Sequence, residues 1–248
     1  MRAFPVRRAT AVVTATLVLA GLPALALADA PARSVTAATD RSEPGSVRQI
    51  PLQGAINVRD LGGYRTDSGR QVRYGQVCRA DARLTDQDLS ALSALGLRTV
   101  LDFRTPEEVE RDGADRLPAG LAATLRDIAD GGRGALLFHC TSGKDRTGWT
   151  GYLLLRTVGV PSGAAERDFL LSNAFRAEAD RRLRAGLKQA GSMEDPDLLI
   201  PLQEVRAAYL DAALDAVTEE YDGFHGYLFE GLGLDVRTVA KLHARLLR

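Results

Sequence analysis

The sequence predicts a layered α/β domain with a helical C-terminal half. Three observations carry this: short apolar strands alternate with amphipathic helices across residues 75–138, one of those strands runs directly into a glycine-containing loop from which a helix departs, and from Thr147 almost to the end the apolar spacing is helical.

Taken in order, Ser68-Gly69 between Tyr64-Arg65-Thr66 and Gln71-Val72-Arg73 is a hairpin turn, and residues 75–79 follow as a short strand. Thr85 with Asp88 three residues later is a capping box; Leu89, Leu92 and Leu95 share the face of the helix it opens, and Gly96 ends it. Residues 98–103 read as a buried strand. Thr105-Pro106-Glu107-Glu108 sets an N-cap, a first-turn proline and an N3 acid in sequence, so a helix begins there. Leu121, Leu125 and Ile128 mark the next helix, closed by Gly131-Gly132, and residues 135–138 form another buried strand. Helices are then expected over 149–158, 164–189, 202–221 and 236–247.

The chain of 248 residues is 45% apolar and 26% charged, enough for one sizeable core and incompatible with disorder, collagen or a disulfide-stapled miniprotein. Its 32 Lys and Arg balance 32 Asp and Glu, which gives no electrostatic case for a nucleic-acid partner. Residues 1–28 read as a signal peptide: Arg2, Arg7 and Arg8 precede an apolar run over 9–22 and a small-x-small site, Ala26-Leu27-Ala28, with cleavage expected after Ala28. That run is shorter than the ~20 residues a span requires and is followed by Pro23, so no stable membrane anchor is expected. Arg7-Arg8 leaves a twin-arginine route open. Residues 29–49, rich in Ala, Ser, Thr, Pro and charge without a period, are expected to be a flexible mature N-terminus, and one domain is expected over 50–248. The expected localisation is therefore secreted.

Chemistry concentrates in residues 138–149, where a buried strand meets a loop with Cys140 first, Gly143 in the middle and Arg146 six positions on, and a helix leaves from the arginine. That order builds an anion nest. Backbone N–H groups of Thr141, Ser142, Gly143, Lys144, Asp145 and Arg146 converge, the helix N-terminus adds positive potential, and Arg146 can grip two phosphate oxygens. The same field favours the nucleophilic thiolate of Cys140.

His-Cys-x-x-Gly-x-x-Arg-Thr-Gly resembles the phosphate loop of cysteine-dependent protein tyrosine phosphatases. Its Gly-Lys-Asp-Arg-Thr-Gly form is similar to that of bacterial secreted tyrosine and dual-specificity phosphatases, some of which accept phosphoinositides. Asn57-Val58-Arg59-Asp60-Leu61-Gly62-Gly63-Tyr64, Arg79-Ala80-Asp81 and Asp102-Phe103-Arg104-Thr105-x-x-Glu108 resemble further blocks of that family. The resemblance implies a cysteine-phosphatase-like layered domain with a central, mostly parallel sheet flanked by helices. It implies Cys140 as nucleophile, Arg146 as transition-state clamp, Thr147 as a hydroxyl steadying the thiolate and His139 behind the loop, with no metal or cofactor needed. Thr141, Ser142, Gly143 and Lys144 would bind substrate, a phosphotyrosine protein or another phosphomonoester. Asn57, Arg59 and Asp60 either buttress the loop or simply cap and pair in a glycine-rich turn. The family carries a longer stretch before its loop, so a lid built from residues 105–138, two short helices, is expected to be reduced. Asp145 is the first candidate for the proton donor, with Asp81 and Asp60 behind it.

Other readings are weaker. A zinc site would have only His225, His243 and Cys78 as further soft ligands, at no recognised spacing, and a nucleotide P-loop fails because Phe138 stands where the first glycine belongs. Cys78 is either buried and inert or a reversible partner for Cys140. Asp102 and Arg104 are expected to pair structurally, Trp149 to enter the core, and the basic run over 176–188 to be a solvated helix face. Besides the phosphatase, two other classes fit the loop: a phospho-ligand binding module without turnover, and a sulfurtransferase, which would not need the Lys-Asp-Arg-Thr-Gly continuation.

Overall fold

Alternation of side chains along one fully buried strand sets both faces of the fold. The computed structural model describes residues 48–112, 117–118, 121–131 and 134–248; the expected signal peptide and nearly all of the expected flexible segment lie outside them. Among the described residues the sheet has six strands, β1 (Arg48–Gln49), β2 (Arg59–Asp60), β3 (Val77–Asp81), β4 (Leu97–Asp102), β5 (Leu117–Pro118) and β6 (Ala135–Cys140), in the order β1-β2-β3-β6-β4-β5. β6 is buried along its whole length, as an uninterrupted apolar strand between two layers must be. Its Leu136 and Phe138 enter the larger core, and Ala135 and Leu137 the smaller one.

β6 runs parallel to β3 and β4, and β5 parallel to β4, while β1 and β2 add an antiparallel edge beside β3. The sheet is thus mixed, and parallel where the loop leaves it. Two layers follow. On one face, α1 (Asp86–Ala94) covers the smaller core through Leu92; its Thr85–Asp88 capping box forms as the sequence expects. α2 (Pro106–Asp112) opens with the same reciprocal bonds between Thr105 and Glu108. On the other face lie α3 (Leu121–Asp130), α4 (Arg146–Thr157), α5 (Ser162–Gln189), α6 (Ile200–Gln203), α7 (Ala207–Tyr221), the single turn α8 (Phe224–Gly226) and α9 (Val236–Leu246). Leu125, Ile128, Leu153, Leu154, Phe169, Leu210 and Leu242 from these helices fill the larger core. No helix among the described residues is long and apolar enough to cross a membrane.

The structure departs from the sequence reading at four places. The strand expected over 75–79 is displaced to Val77–Asp81, because the Gly75 N–H is taken by the Asp60 carboxylate at 2.6 Å and the chain is still turning there. The helix expected over 202–221 is broken between α6 and α7: Val205 is drawn into the core, and the Asn173 side chain takes both its N–H and its C=O at 2.8 Å. The basic run over 176–188 is not wholly solvated, since Arg176 is buried and paired with Asp180 at 2.7 Å. A direct Cys78–Cys140 bridge is excluded by register. Cys78 lies opposite Leu137 and Cys140 opposite Asp81, an offset of three residues that puts the thiols on opposite faces, with Cα atoms about 11 Å apart. A disulfide tolerates no more than roughly 7 Å. Both cysteines are buried.

Candidate active site

The loop between β6 and α4 is shaped from beneath. Gly143 adopts φ 64°, and a Cβ there would sit 2.5 Å from the Ala80 carbonyl oxygen, so no other residue fits without displacing β3. The Gly143 carbonyl accepts from Asn57 Nδ2 at 2.8 Å and Arg79 Nη2 at 2.9 Å, and the Ser142 carbonyl accepts from Arg176 Nη1 at 2.8 Å. In a trans peptide the N–H opposes the C=O, so these anchors turn the Gly143 and Lys144 N–H groups away from Asn57, Arg79 and Arg176. The nest expected from the sequence has its carbonyls tied down on one side.

Asn57 and Arg79 belong to a buried polar cluster. Arg59 donates through Nε to Asp168 Oδ1 at 2.9 Å and through Nη1 to Asn57 Oδ1 at 2.5 Å; Arg79 Nη1 donates to Asp168 Oδ2 at 2.7 Å; Tyr64 OH donates to Asp168 Oδ1 at 3.0 Å. Burial by itself would push the Asp168 carboxyl up, but the two guanidiniums overcome it and hold it at about 2. Burial and Asp168 together push the Tyr64 phenol up, so it stays neutral.

Arg146, the first residue of α4, is held from above. Its Nη1 donates to Glu108 Oε2 and to the Phe103 carbonyl, both at 2.6 Å, and its Nη2 to Glu108 Oε1 at 2.7 Å. Thr141 Oγ1 donates to the same Oε1 at 2.6 Å, tying the loop to α2. The grip of Arg146 holds the Glu108 carboxyl down at about 2. Glu108 thus takes the end of the guanidinium, and among the described residues the Nε edge meets only Thr141 Oγ1, 3.5 Å from Nη2.

The remaining expected residues fall as follows. Cys140 ends β6, buried, beneath the loop. Thr147 is buried in the first turn of α4, and its Oγ1 has no hydrogen-bond partner among the described residues. Lys144 Nζ donates to Asp145 Oδ1 at 2.9 Å and reaches the Glu204 carbonyl at 3.5 Å; the Asp145 side chain is largely exposed at the loop's rim. His139 is buried, with Nδ1 3.7 Å from Asp102 Oδ1, its neighbour in register. Asp102 and Arg104 pair at 2.7 Å. Asp81 lies opposite Cys140 in the β3–β6 register; its Oδ1 accepts from the Ile56 and Arg83 amides, and burial pushes its carboxyl up to about 6. Asp60 turns away from the loop and braces the Gly62 and Gly75 amides.

The fold therefore brings together Cys140, the loop residues 141–147, Asn57 and, through Asn57, Arg59, but not Asp60. Sequence reasoning gave Glu108 only a helix-capping role and Arg176 only a place on a solvated helix face, and assigned Arg79, Asp168 and Tyr64 no part in the site. Glu108 and Arg79 lie inside quoted motif blocks, and Tyr64 closes one; Asp168 and Arg176 sit in a helical run with no local mark of what they reach.

Comparison with known proteins agrees with this geometry. A family model described as "Tyrosine phosphatase family" matches residues 50–120 and 113–248. A Cupriavidus necator protein named as a candidate tyrosine-protein phosphatase is 33% identical, over 73% of this chain and 82% of its own. The triple specificity protein phosphatase PtpB of Mycobacterium tuberculosis is 26% identical over 82% of this chain and 99% of its own, and a tyrosine-protein phosphatase of Nostoc commune 29% over 66% and 71%. With the family model spanning the domain from β2 to α9 and the Cys140–Arg146 loop built on that domain's central strand, the chain belongs to the tyrosine phosphatase family.

Proposed function

We propose that this enzyme hydrolyses phosphomonoesters, phosphotyrosine in proteins foremost, through a phosphocysteine on Cys140. The observation that carries the reading is the pairing of a buried cysteine at a strand end with an arginine whose fork is already aimed by Glu108 across the same loop. In the first step Cys140 Sγ attacks phosphorus in line, the P–O bond to the leaving group breaks, and Asp145 at the exposed rim protonates the departing oxygen. In the second, water attacks the phosphocysteine, Asp145 accepts its proton, the P–S bond breaks, and Thr147 steadies the returning thiolate. Charge on the equatorial oxygens is met by loop amides and the Arg146 Nε edge, which supplies most of the acceleration. Lys144 extends the cationic surface, which suits substrates with more charge than one monoester, phosphoinositides included; the name of the mycobacterial relative, a triple specificity phosphatase, favours the same breadth. Export through the 1–28 segment would place this activity outside the cytosol.

The test is turnover of p-nitrophenyl phosphate by the purified chain. Activity should persist in a chelator and vanish in Cys140→Ser, while that variant still binds a phosphotyrosine peptide. A chelator-sensitive enzyme, or a serine variant near the wild-type rate, overturns the reading; binding with no turnover in the wild type would make the chain a phospho-ligand module.

A further inference from the structure

The cluster beneath the loop is unbalanced in charge. Arg59 and Arg79 are both fully buried, and the carboxylate they share is Asp168, itself fully buried. Tyr64, the other ionisable group bonded to Asp168, is neutral. Among the described residues one positive charge is therefore left over in this cluster, and a lone buried charge is costly unless something answers it.

The geometry distinguishes the two arginines. Arg59 is taken up by Asp168 through Nε and Nη2 and by Asn57 through Nη1. Arg79 spends Nη1 on Asp168 and Nη2 on the Gly143 carbonyl and the Ser172 hydroxyl, both neutral, and its buried Nε has no hydrogen-bond partner among the described residues. Arg79 also lies on the right face. In the parallel β3–β6 pair, Val77, Arg79 and Asp81 share the face of Leu136, Phe138 and Cys140, and Arg79 stands one step below the Asp81–Cys140 pair. Burial and the repulsion of Arg59 pull the Arg79 guanidinium down to about 10, still charged at neutral pH, and a charge on Cys140 is among those that oppose the fall.

We propose that Arg79 is a positioning residue for the nucleophile: it fixes the Gly143 peptide from below, and its unanswered positive charge is the rear counter-charge of the Cys140 thiolate. The inference rests on the reading of Cys140 as nucleophile. Arg146 then serves mainly the substrate, with its charge largely answered by Glu108, and Arg79 serves the sulfur. The other charged groups around the loop are already paired or lie off this axis: Arg176 with Asp180 on α5, Arg104 with Asp102 beside His139, Lys144 with Asp145 at the rim. Asp81 on β3 is the negative group nearest in register, and its carboxylate is taken up by the Ile56 and Arg83 amides rather than by Arg79.

The experiment follows the thiolate itself rather than turnover. Purified wild type, Arg79→Gln and Arg79→Lys are alkylated with iodoacetamide, a neutral reagent, at pH 6, and labelling of Cys140 is followed by peptide mass mapping, which separates it from Cys78. Arg79→Gln keeps a donor for the Gly143 carbonyl and loses the charge; Arg79→Lys keeps the charge and loses the fork. The expected result is fast labelling in the wild type, a rate at least about tenfold lower in Arg79→Gln, and a rate within about threefold of wild type in Arg79→Lys. Fast labelling of wild type and Arg79→Gln alike overturns this inference and leaves the nucleophile reading intact. Slow labelling of the wild type overturns that reading as well. If Arg79→Gln does not fold, Arg79→Lys still decides, since slow labelling of a folded variant that keeps the charge overturns the counter-charge role.

Discussion

Glu108 of α2 holds Arg146 of the loop with both carboxylate oxygens, 2.6 Å from Nη1 and 2.7 Å from Nη2. A two-point grip fixes the guanidinium plane as well as its position, which one hydrogen bond would not. Glu108→Gln, which keeps size and loses charge, should lower kcat/KM by about tenfold, and Glu108→Ala by about 10²-fold, with the loss mainly in kcat because the aimed fork matters most for transition-state charge. Steady-state kinetics on p-nitrophenyl phosphate check this. Equal rates in Glu108→Ala and wild type would show that Arg146 orients without it.

Arg146→Lys should cost ~10²–10³-fold in kcat at unchanged folding, because a point charge cannot supply two parallel N–H donors to equatorial oxygens. Retention of more than a third of wild-type kcat, at a wild-type melting temperature, would remove the planar fork from the mechanism.

Asp145 can be assigned by leaving group. If it donates the proton, Asp145→Asn should slow phenyl phosphate, a basic leaving group, by ~10²-fold or more and leave a nitrophenyl ester within a few-fold. Equal slowing of both esters would return Asp145 to holding Lys144, which donates to its side chain at 2.9 Å. The same comparison would then pass to Asp81, whose carboxyl burial pushes up to about 6.

Stability against acid depends on Asp168. Its folded value of about 2 lies below the unfolded 3.8, so the stabilisation is fully present above pH 4 and is lost as pH falls from about 4 to 2. Asp81 has the opposite sign: its contribution is present below 3.8 and is lost as pH rises to about 6. Asp168→Asn leaves two buried guanidiniums sharing a neutral partner and should cost about 3–5 kcal/mol at pH 7. Urea denaturation between pH 2 and 7 should show wild type and variant converging toward the acid end. Parallel curves would place the acid sensitivity elsewhere.

Lys144→Ala should reduce kcat/KM for a phosphoinositide by at least about tenfold and for a phosphotyrosine peptide by less than about threefold, since its ammonium extends the cationic surface beside the nest. An equal effect on both would make Lys144 general electrostatics.

Much of this was legible in one dimension because the interactions concerned are local. The Thr85–Asp88 and Thr105–Glu108 caps span four residues, the Cys140–Arg146 loop seven, and β6 declares itself by an apolar run; each depends on neighbours in the chain and formed as read. The break before α7 was not legible, because its cause is Asn173, 32 residues upstream, taking both backbone groups of Val205.

By itself the sequence determined where the loop between β6 and α4 falls, the α/β layering, and the chemistry a cysteine and arginine at that spacing invite. Tertiary structure alone decided what holds the loop in shape. Asp168 is 109 residues from Arg59 and 89 from Arg79, and Arg146 is 38 from Glu108, separations over which no helical or strand period carries information. Register made the remaining choice: β3 pairs with β6 so that Arg79 shares the face of Cys140 and Cys78 does not, and a slip of one residue would exchange the two.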